Sequence, residues 1–224
     1  MNLPARETLR FLGRVLPPAP IRLLAVSAAE EETVRALAAR GDAVTPLDEE
    51  TFLFAQPGEP FDAVVFLHCL PRMQPIGRTL DRARESLAPG GLVVAEQVAY
   101  DRVNVHTARW LYDLESVLVA AETIAPPDPR HAEERRPLAR WRLEHVADPP
   151  LSSGHDLLAA ARERLEMTLV EEAPWLYRTL AERARSGDVR AERVVEAVFE
   201  LESRLVRERD IAAAGLRFAG RRTG

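Results

Sequence analysis

Apolar residues follow two different rhythms along this chain. Phe61–Leu67 is a short continuous run, Phe-Asp-Ala-Val-Val-Phe-Leu, of the kind that suits a strand buried on both faces. The stretch that follows changes to a helical period. Ile76, Leu80, Ala83 and Leu87 recur on one face, with Arg78, Asp81, Arg84 and Glu85 on the other. Pro89-Gly90-Gly91 is expected to stop that helix, because proline cannot extend it and glycine accepts positive φ. Residues 92–96 then open a second apolar strand. Two such strands joined by a helix predict a parallel pair with a right-handed crossover.

The same reading extends to both ends. Residues 5–15 read as a short helix with Leu9, Phe11, Leu12 and Val15 apolar, closed by Pro17-Pro18-Ala19-Pro20. A strand over 21–26, a helix over about 28–40 and a strand over 43–48 make a first βαβ half, with Gly41 as the helix cap. Residues 51–55 read as the stub of a further strand. Beyond Asp101 an amphipathic helix places Trp110, Leu111, Leu114, Val117, Leu118 and Ala121 on one stripe, and the proline cluster at 126–129 breaks it. The charged segment 131–136 reads as a surface loop. Strands are expected over 167–171 and 215–219, with helices over 175–180 and 194–205 between them.

Length and composition narrow the class. A chain of 224 residues suits one α/β domain with an added helical segment. Its expected parts are an N-terminal helix and linker over 1–20, a core over 21–125, and a C-terminal part over 126–224 with an insertion at about 175–209. A net charge of −5 gives no basic stripe for nucleic acid. The single cysteine, Cys69, excludes an internal disulfide and a multi-thiolate zinc site, and reads as a small buried hydrophobe. Histidines 145 and 155 follow no metal-ligand spacing, so no metal is expected. No apolar run approaches the ~20 residues of a membrane helix, and the N-terminus lacks the apolar core of a secretion signal. A cytoplasmic protein is the expectation.

The stretches "FDAVVFLHCLPRM" and "RARESLAPGGLVVAEQVAY" resemble the fourth and fifth strand region of class I S-adenosylmethionine (SAM)-dependent methyltransferases. In that family an FD-apolar strand, a helix and an L-x-P-G-G turn recur in this order. "PLARWRLEH", "PWLYRTL" and "AAGLRFAGRR" are similar to the C-terminal part of small bacterial methyltransferase-like proteins, which extends the resemblance over nearly the whole chain. The resemblance implies a Rossmann-like, mostly parallel sheet. Two departures accompany it. Ser27, Ala29 and Glu31 stand where three glycines admit the methionine end of SAM, and Glu30-Glu31-Glu32 places three acids there. Acids in a first helical turn also oppose the helix dipole favourably, which is the plainer reading of that run. Only about a dozen residues separate Asp48 from Phe61, too few for the helix and third strand the family normally carries, at about 11 and 5–6 residues. The middle of the sheet is therefore expected to be shortened.

Carried over onto this sequence, the resemblance implies a SAM site at Ser27, Ala29, Asp48 and Phe66, with Asp48 in the ribose-binding position. His68 stands at a strand exit, where a neutral imidazole can act as general base or serve as a hydrogen-bonded structural residue. Arg72, Tyr100, Trp141 and His145 are the candidate substrate-binding residues. Two functions are open at this point. One is methyl transfer from SAM to a small organic acceptor. The other is a catalytically silent methyltransferase fold acting as a binding or regulatory subunit, forming homo- or hetero-oligomers through the C-terminal helices.

Overall fold

The computed structural model describes residues 1–27, 31–54, 58–147, 150–184 and 187–222. Six strands form one sheet in the order β2-β1-β3-β4-β6-β5. They are β1 (Arg22–Val26), β2 (Ala43–Leu47), β3 (Phe61–Leu67), β4 (Leu87–Val98), β5 (Leu165–Ala173) and β6 (Gly215–Arg222). The first four run parallel to one another, and β6 pairs antiparallel with both β4 and β5. This is the Rossmann-like sheet that the resemblance implies. Chain order reverses around β1, whose neighbours are β2 and β3, and open α/β sheets place ligands beside such a reversal.

The apolar runs are continuous because helices cover both faces. On one face Val64, Phe66, Val93 and Ala95 pack against α3 (Glu49–Phe54), α4 (Ile76–Ser86) and α8 (Gly154–Arg164) through Phe52, Leu80, Ala83, Leu157 and Ala161. On the other, Ala63, Val65, Leu67, Leu92 and Val94 meet α1 (Leu3–Val15) and α2 (Glu31–Ala39) through Phe11, Leu12 and Leu37. A third apolar cluster lies beyond the sheet. It gathers α5 (Val105–Ala120), α7 (Pro137–Glu144), α9 (Leu176–Ala181) and α10 (Val189–Glu208) around Leu111, Trp141, Tyr177 and Val198.

Several local expectations are corrected. Pro89-Gly90-Gly91 does not end α4, which closes at Ser86. The three residues bulge within β4, where Phe61 pairs with Leu87 and Ala63 next pairs with Leu92. Gly90 takes φ +75° there, and a Cβ on Gly91 would fall 3.1 Å from the Asp62 carbonyl oxygen, so the bulge demands both glycines. Residues 51–54 are not a strand stub, since Glu49–Phe54 is the helix α3, capped by the Asp48 carboxylate; Ala55 lies outside the described residues. The sheet accordingly ends at β2, an exposed edge strand that tolerates Pro46. Segment 131–136 is not a loop throughout, since α6 (Pro129–Ala132) enters it. Val117 is 63% exposed rather than inward-facing, so α5 buries a narrower stripe than its sequence suggests. The expected helix over 28–40 is described only from Glu31, its first three residues lying outside the described set. No described helix is long and apolar enough to cross a membrane.

Candidate functional site

The site is built around one carboxylate. Glu96 lies in β4 between Ala95 and Gln97 and is 2% exposed. Its Oε2 accepts from Thr8 Oγ1 at 2.5 Å, from Arg178 Nη2 at 3.0 Å, and faces His68 Nε2 at 3.4 Å. Its Oε1 accepts from Arg217 Nε at 2.6 Å and Nη2 at 2.5 Å. Five separate elements meet there: α1, the β3 exit, β4, α9 and β6. Burial alone pushes the Glu96 carboxyl up, but Arg178, the His68 hydrogen bond and Arg217 outweigh it and hold it well below the usual carboxylate range. The charge is therefore fixed at all ordinary pH.

That cluster supports one wall of a cavity of about 660 Å³ at the exits of β3 and β4. His68, Arg72, Val98, Trp175 and Arg178 line it, facing Glu144, His145 and Val146 from α7 and the turn after it, while Asn2 and Pro4 of the N-terminus complete the rim. The volume suits a small organic molecule. His68 holds the left-handed backbone conformation at φ +63°, uncommon for a residue with a side chain, and its N–H donates to the Glu96 carbonyl at 3.0 Å. Its ring meets Trp175 edge-on at 4.8 Å.

His145 is oriented just as firmly. Its Nδ1 lies 2.8 Å from the Trp141 carbonyl, which fixes Nδ1 as the protonated nitrogen, and its ring packs at a 35° tilt against Trp141 at 3.9 Å and lies parallel to Tyr100 at 6.0 Å. Burial lowers its pKa, the Trp141 carbonyl and Glu144 opposing, so the ring is neutral near pH 7. Trp141 itself is buried, its Nε1 donating to the Tyr100 carbonyl at 2.8 Å, so it supports the cavity from behind rather than lining it. Tyr100 donates its hydroxyl to the Leu151 carbonyl at 3.0 Å.

Sequence-derived candidates thus divide into two groups. His68, Arg72 and His145 share the cavity, with Tyr100 and Trp141 directly beneath His145. The proposed SAM residues do not join them. Phe66 is fully buried, edge-on to Phe52 at 5.4 Å, and presents no ring to a ligand. Asp48 is spent partly as the cap of α3, where the Thr51 N–H at 2.6 Å lowers its pKa. Ser27 continues the β1–β2 ladder by donating its N–H to the Leu47 carbonyl at 3.0 Å. Ala29 lies outside the described residues.

Among the described residues, those beside β1 are a poor fit for SAM. The Cys69 thiol donates to the Val26 carbonyl at 3.2 Å, bridging the exits of β1 and β3, and burial pushes that thiol's pKa strongly up. Arg72 pairs with Glu49 at 2.6 Å across the ends of β3 and β2. Glu31 and Glu32 occupy the first turn of α2, where the methionine carboxylate of SAM needs bare N–H groups, and Glu32 already holds the chain's own amino terminus at 3.2 Å.

A family model described as a methyltransferase domain matches residues 2–164. The chain belongs to the class I SAM-dependent methyltransferase family. Among solved structures it is similar to a putative methyltransferase of Haloferax volcanii, solved with the Trm112 methyltransferase activator, at TM-score 0.57 and 14% identity over 99% of this chain and 91% of that one. It is also similar to phosphoethanolamine N-methyltransferase 2 of Haemonchus contortus, solved in separate structures with S-adenosylhomocysteine and with SAM, at TM-score 0.55 and 12% identity. That match covers 98% of this chain and 53% of the longer one. No curated protein matches the sequence significantly. At these identities the likeness establishes the methyltransferase fold, and the chemistry has to come from the site.

Sequence reading placed Glu96 at a strand exit without a role, and missed Arg178 and Trp175 as site residues. An acid directly after the apolar run Leu92–Ala95 was the available signal for Glu96. Arg178 and Trp175 gave none, because their contacts span more than eighty and more than a hundred positions.

Proposed function

We propose that this methyltransferase-like chain is a binding protein for a small organic molecule, held in the cavity at the exits of β3 and β4, and that its SAM side no longer serves a donor. The Cys69 thiol closing on the Val26 carbonyl at 3.2 Å carries this reading, because it joins the two strand exits between which the donor would have to lie. The acids opening α2 and the ion pair between Arg72 and Glu49 act in the same direction. The cavity shares Arg72 with that side, but its wall rests on Glu96 and the C-terminal helices, so losing the donor side leaves it intact.

One observation favours the alternative, a working SAM-dependent methyltransferase with a small acceptor. His68 lies against the buried Glu96 carboxylate, an arrangement that orients a ring for proton transfer. Calorimetric titration with SAM separates the two. The expected result is binding weaker than ~100 μM, equivalent to about −5.5 kcal/mol or less favourable. Micromolar or tighter binding would contradict the binding-protein reading and return the chain to the enzymes.

A further inference from the structure

The charged residues around the cavity are largely committed to the protein itself. Arg72 pairs with Glu49 at 2.6 Å, Arg178 with Glu96 at 3.0 Å, and Glu144 with Arg140 at 2.9 Å while also accepting the Tyr112 hydroxyl at 2.7 Å. A charged ligand would have to break one of these pairs or enter without a counter-charge, and either is costly in a partly buried site.

The wall nevertheless offers a directed neutral acceptor. Because Nδ1 of His145 is held by the Trp141 carbonyl, its Nε2 carries the lone pair, and among the described residues that nitrogen has no partner. The ring cannot easily turn away, being packed against Trp141 and set parallel to Tyr100. Lowered by burial, its pKa keeps Nε2 an acceptor near neutral pH. The apolar part of the wall is aromatic and aliphatic together, with the Trp175 indole, Val98 and Leu151 in one cavity.

We infer that the cavity takes an uncharged aromatic molecule bearing a hydroxyl group, its ring against Trp175 and its hydroxyl donating to Nε2 of His145. This rests on the binding-protein reading above and names the class of ligand. An aromatic face contributes stacking as well as burial. The hydroxyl satisfies that directed acceptor, and the absence of charge leaves the wall's ion pairs undisturbed.

The test is a protein-observed NMR titration of the full chain with four probes of one size: naphthol, methoxynaphthalene, naphthoate and naphthylmethylammonium. Naphthol is expected to bind with the highest affinity, and its methyl ether, which cannot donate, about tenfold more weakly. His145→Phe, which keeps a stacked ring without the acceptor, is expected to bring naphthol down to the level of the ether. Should that variant fold poorly, the comparison among the probes on the unaltered chain still decides. Equal affinity for naphthol and its ether, or tighter binding of either charged probe at the resonances of His145 and Trp175, would overturn the ligand class while leaving the cavity's binding role standing. No probe shifting those resonances would overturn both.

Discussion

Glu96→Ala is expected to cost about 3–5 kcal/mol of stability, the range for removing one partner from a buried ion pair. The substitution leaves Arg178 and Arg217, with side chains only 5% and 12% exposed, facing each other without the carboxylate that joins them. It also unties α1 from β4, since Thr8 donates to the same oxygen as Arg178. For a chain of this size the loss lowers the melting temperature by on the order of 10 °C. The pH behaviour follows from the sign of the shift. A carboxyl held low in the folded state contributes stability that is complete above the unfolded value of 4.5, and that contribution is lost only as pH falls toward the depressed folded value. The cluster should therefore survive mild acid. Thermal denaturation of the variant at neutral pH checks the magnitude; a loss under about 1 kcal/mol, the scale of an exposed pair, would mean that Glu96 does not anchor the site.

Glu202 should show the second large effect and the opposite pH dependence. It lies on α10, fully buried, and accepts the N–H groups of Trp175, Leu176 and Tyr177 at 2.7, 2.9 and 2.8 Å. One carboxylate thus fixes the start of α9, the helix that brings Trp175 and Arg178 to the cavity. Glu202→Ala leaves three backbone donors buried without acceptors, at a cost of about 3 kcal/mol or more. Burial pushes the Glu202 carboxyl up to about 7, the three amides and Arg178 opposing. Since the folded value lies above the unfolded 4.5, its contribution is complete below about pH 4.5 and is lost as pH rises through about 7. Glu202→Gln, which keeps an acceptor and cannot ionise, should therefore cost less than the alanine variant. The stability gap between Glu202→Gln and the unaltered chain should also narrow from pH 5 to pH 8. Urea denaturation across that range measures it, and a gap that widens with pH would contradict the assignment.

The two carboxylates mark where sequence reading stops. Strands β1, β3 and β4 were legible because both faces are covered, which leaves uninterrupted apolar runs, and α4 was legible because only one face is covered. The truncation after β2 was legible as a simple shortage of residues before Phe61. The bulge at Pro89-Gly90-Gly91 was not, because the same residues end a helix equally well in isolation and only the pairing of Phe61 with Leu87 decides. Helix α7 was hidden by its own composition, for its buried residues are Arg140 and Trp141, and the arginine is satisfied by Glu115 at 2.8 Å from α5. Glu202 falls between Val198 and Leu205 on the apolar stripe of α10, so an acid at an inward position was visible, though its partners were not. His68 was expected at a strand exit and His145 only in the stretch leading to a later strand. Their meeting in one cavity depends on the turn after α7 lying over the exits of β3 and β4.

The central claim is that the cavity binds while the donor crevice does not, and the indole N–H resonance of Trp175 tests it most directly. Among the chain's three tryptophans, Trp141 is buried behind His145 and only Trp175 lines the cavity. Separate titrations of one labelled sample with naphthol and with SAM can be followed at that resonance and at the amides of Ser27 and Cys69. The account predicts that naphthol shifts Trp175 and leaves Ser27 and Cys69 in place, and that SAM at ~100 μM brings Ser27 and Cys69 to less than half of saturation. Saturating shifts at Ser27 and Cys69 with SAM, with Trp175 unmoved by naphthol, would contradict it.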